Sequence, residues 1–352
     1  MCVKGSQIGI MGGGIAAAVI ITVLFVSMGT QNDDVQLSAP VDQDPVVLEE
    51  KFLVYTTFYP LYQFTQGVAG DAAEVRILIP SNADPHASEL GPQTIAALTK
   101  ADMVIYNGAD FEPYIDEIMS ASDFAHIVFV DSSEGIELME GEAHDHHGHG
   151  SHGEDVHDDH SKEDGHDDHG EEGNIDHTYD PHIWLDPILA KAQVMTIADH
   201  LKESDPKHAE IYHDNAISYA NQLDQLDQEI RSEVSSCAKD TFVPFHNSFS
   251  YFAERYNLNT LAVIQEFSPE TPVTAMDIEE LIRFAEDNDI KYFLTEENRN
   301  PKLAERLAAE LGGDILLFSP LESLSESDDP NVTYFEKMRQ NVDNLQIALE
   351  CN

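Results

Sequence analysis

The sequence predicts an α/β protein of two lobes. Each lobe is a parallel sheet covered by helices, and one long helix joins them with a cleft between. Three observations predict this. Strands and helices alternate from residue 51 to residue 131, the same alternation resumes at residue 241, and a long helical segment with spaced apolar residues separates the two. A chain of 352 residues also exceeds the usual single-domain size, and its 42% hydrophobic content supplies material for a core of this extent.

The elements read in order as follows. "KFLVYTTF" (51–58) is a buried strand, and Tyr59 to Ala69 is a helix. "EVRILIP" is a strand, Gly91 to Thr99 a helix, "ADMVIYNG" a strand, Phe111 to Ser120 a helix and "AHIVFVD" a strand. After a low-complexity interruption, "YDPHIWLDP" returns to order. Pro187 to Glu203 and Pro206 to Ser236 are helical, the second with Ile211, Ile217, Leu223, Leu226 and Ile230 as its apolar residues. The second lobe then runs "TFVPFH" (strand), Ser248 to Tyr256 (helix), "TLAVIQ" (strand), Ala275 to Asn288 (helix), "KYFLTE" (strand), Pro301 to Leu311 (helix), "DILLF" (strand) and Tyr334 to Glu350 (helix). The domain boundaries expected from this are 1–29 for an N-terminal segment, 30–50 for a linker, 51–186 for the first lobe, 187–238 for a helical connector and 239–352 for the second lobe.

The N-terminal segment speaks about location. Lys4 precedes Ile8 to Met28, 21 residues without a charge, long enough to span a bilayer. That run exceeds the apolar part of an ordinary signal peptide, so it reads as an uncleaved anchor, with cleavage after it as the alternative. A positive residue before it and acid after it place the body of the protein outside the cytoplasm. No Cys follows the run, so a lipid anchor is not indicated. The formal charge of −48 excludes nucleic-acid binding, which needs basic patches, and suits a protein that attracts cations.

Between Ala143 and His169, nine of the 27 residues are His, and half of the others are acidic. This stretch, within an inserted loop at 141–177, has too little apolar content to fold alone. Its imidazoles and carboxylates suit weak metal binding at many equivalent places, with plain solvation as the other reading. It reads as an accessory beside a site elsewhere.

In α/β folds ligands sit beyond the carboxyl ends of strands. The polar residues at those places are His86, His182 in the "YDPHIWLDP" loop, His246, Glu296 and Ser319. One His alone is more often packed than ligating. Three of them, drawn from both lobes, point to a metal in the cleft, because imidazole is the commonest nitrogen ligand for zinc and related ions. Asp180 and Asp186 flank His182. Either could accept the second ring N–H of a ligating imidazole, and Asp186 before Pro187 equally reads as a helix N-cap. Glu89, Ser248 and Phe249 read as helix starts or core, and Trp184 as a core anchor.

Together these segments resemble a known family: the substrate-binding proteins of zinc or manganese ABC importers, of the cluster A-I or zinc-uptake and TroA-like superfamily. The resemblance covers about Lys51 to Cys351. Its carrying segments are "TTFYPLYQFTQGVAGD", "ADPHASELGPQTIAALTKADMVIYNGADFEP", "YDPHIWLDP", "FHNSFSYFAERYNL", "SPETPVTAMDIEELI" and "LTEENRNPKLAERLAAELGGDIL". It implies two lobes on one rigid helix and one buried metal, with His86, His182 and His246 as ligands. It also implies zinc ahead of manganese as the ion, an ABC permease and its ATPase as partners, a monomer, and no catalysis. The family's fourth ligand is an acid where this chain has Ser319. The candidates for the fourth position are therefore Glu296 directly, or a water held by Glu296 or Ser319, with Glu297 or a loop acid behind them. Two other readings stay open on these residues: a zinc-dependent hydrolase or lyase, since three His with an open position is also a catalytic pattern, and a metal-dependent surface adhesin.

Three Cys are too few for a disulfide framework. Cys237 and Cys351 each end a helix of the second lobe in an oxidising compartment, and a bridge between them would pin the C-terminus. Two separate thiols are the alternative. Cys2 lies on the other side of the membrane and stays reduced.

Overall fold

A computed structural model of the chain describes residues 51–86, 88–141, 179–265, 267–269, 272–325 and 327–351. These belong to one compact unit, residues 50–352. The expected anchor and linker, and all of the His-rich loop but Gly141, lie outside the described residues. No helix among the described residues is long and apolar enough to cross a membrane.

The first sheet has four parallel strands, β1 (Phe52–Thr56), β2 (Ala73–Ile77), β3 (Met103–Tyr106) and β4 (Val128–Asp131), in the order β2-β1-β3-β4. Side chains alternate across a strand, and the register makes that alternation coherent. Val54 lies opposite Met103, and Ile105 opposite Val130. These four share one face and pack into the main core. Tyr55 and Val104 point the other way, into a smaller cluster with Leu98, Ile115 and Ile118. That second face is covered by α2 (Pro92–Leu98) and α3 (Ile115–Ser120). The first is covered by α1 (Tyr59–Ala69) and by a helical pair, α4 (Pro187–Ser204) and α5 (Ala209–Val234).

The pair α4 and α5 lies between the two sheets in the order of the chain. Asp186 caps α4 by accepting from the N–H of Ile188 and Leu189, with Pro187 in the first turn, as the sequence predicts. A short 3-10 turn, Pro206–His208, leads into α5. At 26 residues α5 is about 39 Å long. Its apolar stripe differs from the one expected. Ile211 and Ile217 are exposed, and the buried stripe is Tyr212, Ala216, Tyr219, Ala220, Leu223, Leu226 and Ile230. Tyr and Ala complete a helical period that the Ile positions break. Helix α1 crosses α5 closely enough that a Cβ on Gly67 would fall 2.4 Å from the Tyr219 ring.

The second sheet is more broken. β5 (Thr241–Phe242) pairs with β6 (Asn259–Thr260), and β7 (Tyr292–Thr295) pairs with β8 (Asp314–Leu317), all parallel. An isolated bridge, Val243 to Phe293, with the Leu294 N–H donating to the Val243 carbonyl at 2.9 Å, joins the pairs in the order β6-β5-β7-β8. The expected strand "TFVPFH" is cut to its first two residues, and of "TLAVIQ" only Thr260 stays in a strand. Pro244 has no N–H for the ladder, so regular pairing stops before it. Pairing returns once beyond it, as a bridge between His246 and Ile264. α6 (Ser250–Tyr256), α7 (Ala275–Asp287), α8 (Lys302–Leu311) and α9 (Tyr334–Ala348) cover this sheet. Capping boxes, Thr274 with Asp277 and Thr333 with Glu336, start α7 and α9.

One hydrophobic cluster runs through both halves. It holds Val54 and Ile105 of the first sheet, Leu223 of α5, and Phe242, Phe318 and Leu345 of the second half. Trp184, fully buried, stands at the junction. Its indole N–H donates to the Pro320 carbonyl at 2.7 Å, and its own carbonyl accepts from the Tyr334 hydroxyl at 2.7 Å. Trp184 is thus the core anchor its segment suggests.

Cys237 and Cys351 are joined by a disulfide that spans 114 residues of sequence. Removing such a link from the unfolded chain's constraints costs roughly 2–5 kcal/mol. Reduction should therefore lower the denaturation midpoint, while a Cys237→Ser/Cys351→Ser variant should show the lower midpoint with or without reductant. An unchanged midpoint on reduction would remove the bridge from the list of stabilising contacts.

Candidate metal centre

The site is built from loops at the carboxyl ends of strands. The loop after β2 carries His86, the segment entering α4 carries His182, the end of β5 leads to His246, β7 leads to Glu296, and β8 leads to Ser319 and Glu322. The structure brings His86, His182, His246 and Glu322 into one group, with one ligand atom from each lying within 4.8 Å of the others. Glu322 Oε1 is 3.2 Å from His86 Nε2, 3.2 Å from His182 Nε2 and 3.3 Å from His246 Nε2. All four side chains are buried, the most accessible at 4%.

Two of the imidazoles are oriented from behind by carboxylates. The Asp180 carboxylate sits 2.7 Å from His182 Nδ1 and also accepts the His182 backbone N–H at 2.9 Å. Glu296 Oε1 lies 2.5 Å from His246 Nδ1 and accepts its backbone N–H at 3.1 Å. A carboxylate on Nδ1 directs the Nε2 lone pair inward, which is how metal-ligating His residues are commonly held. His86 is steadied by Asp84, which accepts its backbone N–H at 2.9 Å, and its ring meets Phe111 edge-on at 4.9 Å.

Glu296, expected at the fourth position, is therefore not a member of the inner group. Its carboxylate is committed to the outer nitrogen of His246, and Glu322 takes the inner place. Ser319 is turned away: its N–H donates to Asn341 at 2.8 Å, and its hydroxyl accepts from the Leu321 N–H at 3.1 Å. Glu297 pairs with the buried Lys337. Arg299 pairs with Asp84 at 2.6 Å. Asp186 caps α4 and binds the Arg255 Nε–H at 2.7 Å, so of the two acids flanking His182 only Asp180 touches an imidazole. The acid missed in the sequence lies three residues past Ser319, in the same "SPLES" segment. Leu321, buried in the core with φ +60°, turns the chain so that Glu322 faces inward. Such a φ is rare for Leu and marks a conformation the surroundings impose.

The electrostatics follow from burial and crowding. Burial opposes ionisation of Glu322, but His86 and His246 beside it hold its carboxyl well below the usual range. Burial also disfavours the charged form of His246, yet Glu296 and Glu322 outweigh it and push the imidazole up to about 10. His182 is raised too, against burial, by Asp180 and Glu322. The Nε2 atoms of His182 and His246 face each other at 3.3 Å, so both cannot present a proton along that line. Three inward nitrogens and one carboxylate oxygen form a donor set that matches tetrahedral zinc. A cavity of about 400 Å³, lined by Asn82, Asp84, Glu296, Arg299, Pro320 and Glu322 among others, leads to it.

Fold and site together define a metal-binding protein whose candidate ligands come from both halves of an α/β chain. Comparison with known proteins gives the family. The model of the periplasmic zinc-uptake complex component A family matches residues 54–348, and the chain belongs to that family. The high-affinity zinc uptake system protein ZnuA of Bacillus subtilis is 34% identical over 301 residues, covering 85% of this chain and 88% of the relative. The zinc-binding protein AdcA of Streptococcus pyogenes is 32% identical over 306 residues, which cover 87% of this chain but only 57% of AdcA. Among solved structures, the laminin-binding protein Lmb of Streptococcus agalactiae, described as a bifunctional protein with adhesin and metal-transporting activity, superposes with a TM-score of 0.70. It is 27% identical, covering 85% of this chain and 99% of Lmb. Members of this family bind substrate for transport and are not enzymes, so the hydrolase or lyase alternative falls away.

The raised His246 sets a pH window for the metal-free protein. Its folded-state value lies above the ordinary 6.5, so its contribution to stability is complete below about 6.5 and is lost as pH rises toward about 10. Chelated protein should lose thermal stability across that window. Glu322→Gln, which removes one of the two carboxylates responsible, should flatten the decline. A flat profile in the unsubstituted protein would contradict this charge arrangement.

Proposed function

We propose that this chain captures Zn²⁺ outside the cytoplasm in the His86, His182, His246 and Glu322 pocket and delivers it to the permease and ATPase of an ABC importer. The observation that supports this most is the convergence of three imidazole nitrogens and one carboxylate oxygen in a pocket where Asp180 and Glu296 hold the outer nitrogens of two of the imidazoles. Nitrogen-rich sets favour zinc over manganese, which prefers oxygen. The names of the relatives, which state zinc uptake and zinc binding, agree. The chain acts as a monomer, held at the outer membrane face by Ile8 to Met28, with 51–186 and 239–352 as lobes and 187–238 as connector. The loop at 141–177 collects metal beside the cleft.

Residues 51–352, purified without added metal and titrated with Zn²⁺, should take up one tightly held ion per chain, with several weaker ones that vanish when 141–177 is deleted. His86→Ala, His182→Ala or His246→Ala should abolish tight binding, and so should Glu322→Ala. Glu296→Gln should weaken it by roughly 10–100-fold, the usual cost of losing an outer partner, and Ser319→Ala should leave it unchanged. Loss of the tight site on deleting the loop, or full affinity in Glu322→Ala, would overturn the assignment.

The likeness to Lmb also supports a second reading, surface adhesion. Cells lacking this protein that starve for zinc but adhere normally would exclude it.

A further inference from the structure

Asp84 and Arg299 are 215 residues apart in sequence and meet at 2.6 Å across the cavity mouth. Asp84 lies on the loop between β2 and α2, two residues before His86. Arg299 lies between β7 and α8, three residues after Glu296. One Asp84 oxygen takes the Arg299 guanidinium and the other takes the backbone N–H of His86 at 2.9 Å. The same carboxylate therefore fixes a site residue from the first half and binds a cation from the second. The pair is largely shielded, with side-chain exposures of 14% and 22%. Neutral contacts also join the halves at this edge: the Leu324 N–H donates to the Ser81 carbonyl, and the Tyr59 hydroxyl donates to the Val332 carbonyl at 2.7 Å. Of the four inner residues, His182 and His246 are held at the ring by carboxylates from their own surroundings, and Glu322 by the turn at Leu321. The position of the His86 backbone is tied to a charge on the opposite half.

We propose that Arg299 and Asp84 act together as positioning residues for metal retention: the ion pair holds the His86 loop across the cavity mouth, and the bound ion leaves when the pair breaks. This rests on the reading of the pocket as the zinc site. Neither side chain touches the ion, so the pair acts through His86. A steering charge at a rim changes the rate of arrival, whereas loss of a shielded, hydrogen-bonded pair changes the rate of departure. The structure places this pair in the second class.

The test uses the full chain in detergent, loaded with one Zn²⁺, with dissociation followed by rapid mixing with a chromogenic chelator. Arg299→Gln and Asp84→Asn should each speed zinc loss by roughly tenfold or more, with association within about twofold of the parent. The double variant should be no faster than the faster single variant, because one interaction is removed either way. Arg299→Lys should restore part of the retention, which guards against a variant that merely misfolds. Multiplied effects in the double variant, unchanged dissociation in Arg299→Gln, or an effect confined to association would each overturn the proposal. Failure of the parent to retain one Zn²⁺ would instead overturn the reading of the pocket.

Discussion

A single carboxylate oxygen facing three imidazole nitrogens at 3.2–3.3 Å is the constraint on which the rest of the structure depends. Four polar groups brought together inside a protein are costly unless each is satisfied. Here the cost is met in layers. Glu322 is balanced by the imidazoles, and two of the imidazoles are balanced in turn by Asp180 and Glu296. Lys337, only 1% exposed, neutralises Glu297 and Asp328 on either side of the segment that carries Glu322. Asn298 ties the same segment down through Ser323 and the Leu324 carbonyl.

The first sheet contributes in a similar way. Glu112, buried at the turn after β3, accepts from the Thr57 hydroxyl at 2.6 Å and from the backbone N–H groups of Asn107 and Gly108 at 2.8 and 3.2 Å. Burial raises its carboxyl to about 7 against these bonds. The turn it organises presents Phe111, which packs against both the His86 ring and Trp184. The wall of the pocket and the main core thus share an aromatic contact.

Much of this was legible in the sequence. The strand–helix alternation gave the two sheets because buried parallel strands and their covering helices differ clearly in period. His86, His182 and His246 were legible because each follows a strand or sits in a Pro-bounded turn where ligands gather. Glu322 was not, because its place depends on the left-handed turn at Leu321, and nothing in the residue type Leu signals that turn. Glu296 attracted notice for a sound reason, its position at a strand end, but a strand end fixes a location and not which nitrogen of an imidazole the side chain will meet. The stripe on α5 was misjudged because Tyr and Ala, weak markers of a buried face, carry it while two Ile residues stand in solvent.

The hydrophobic cluster that runs from β1 through α5 to α9 belongs to both halves at once. Drawing the halves apart would bare that shared interior to water, at roughly 25 cal/mol for each Å² of apolar surface exposed. Motion confined to the loops around the pocket mouth exposes far less and is the cheaper way to open the site.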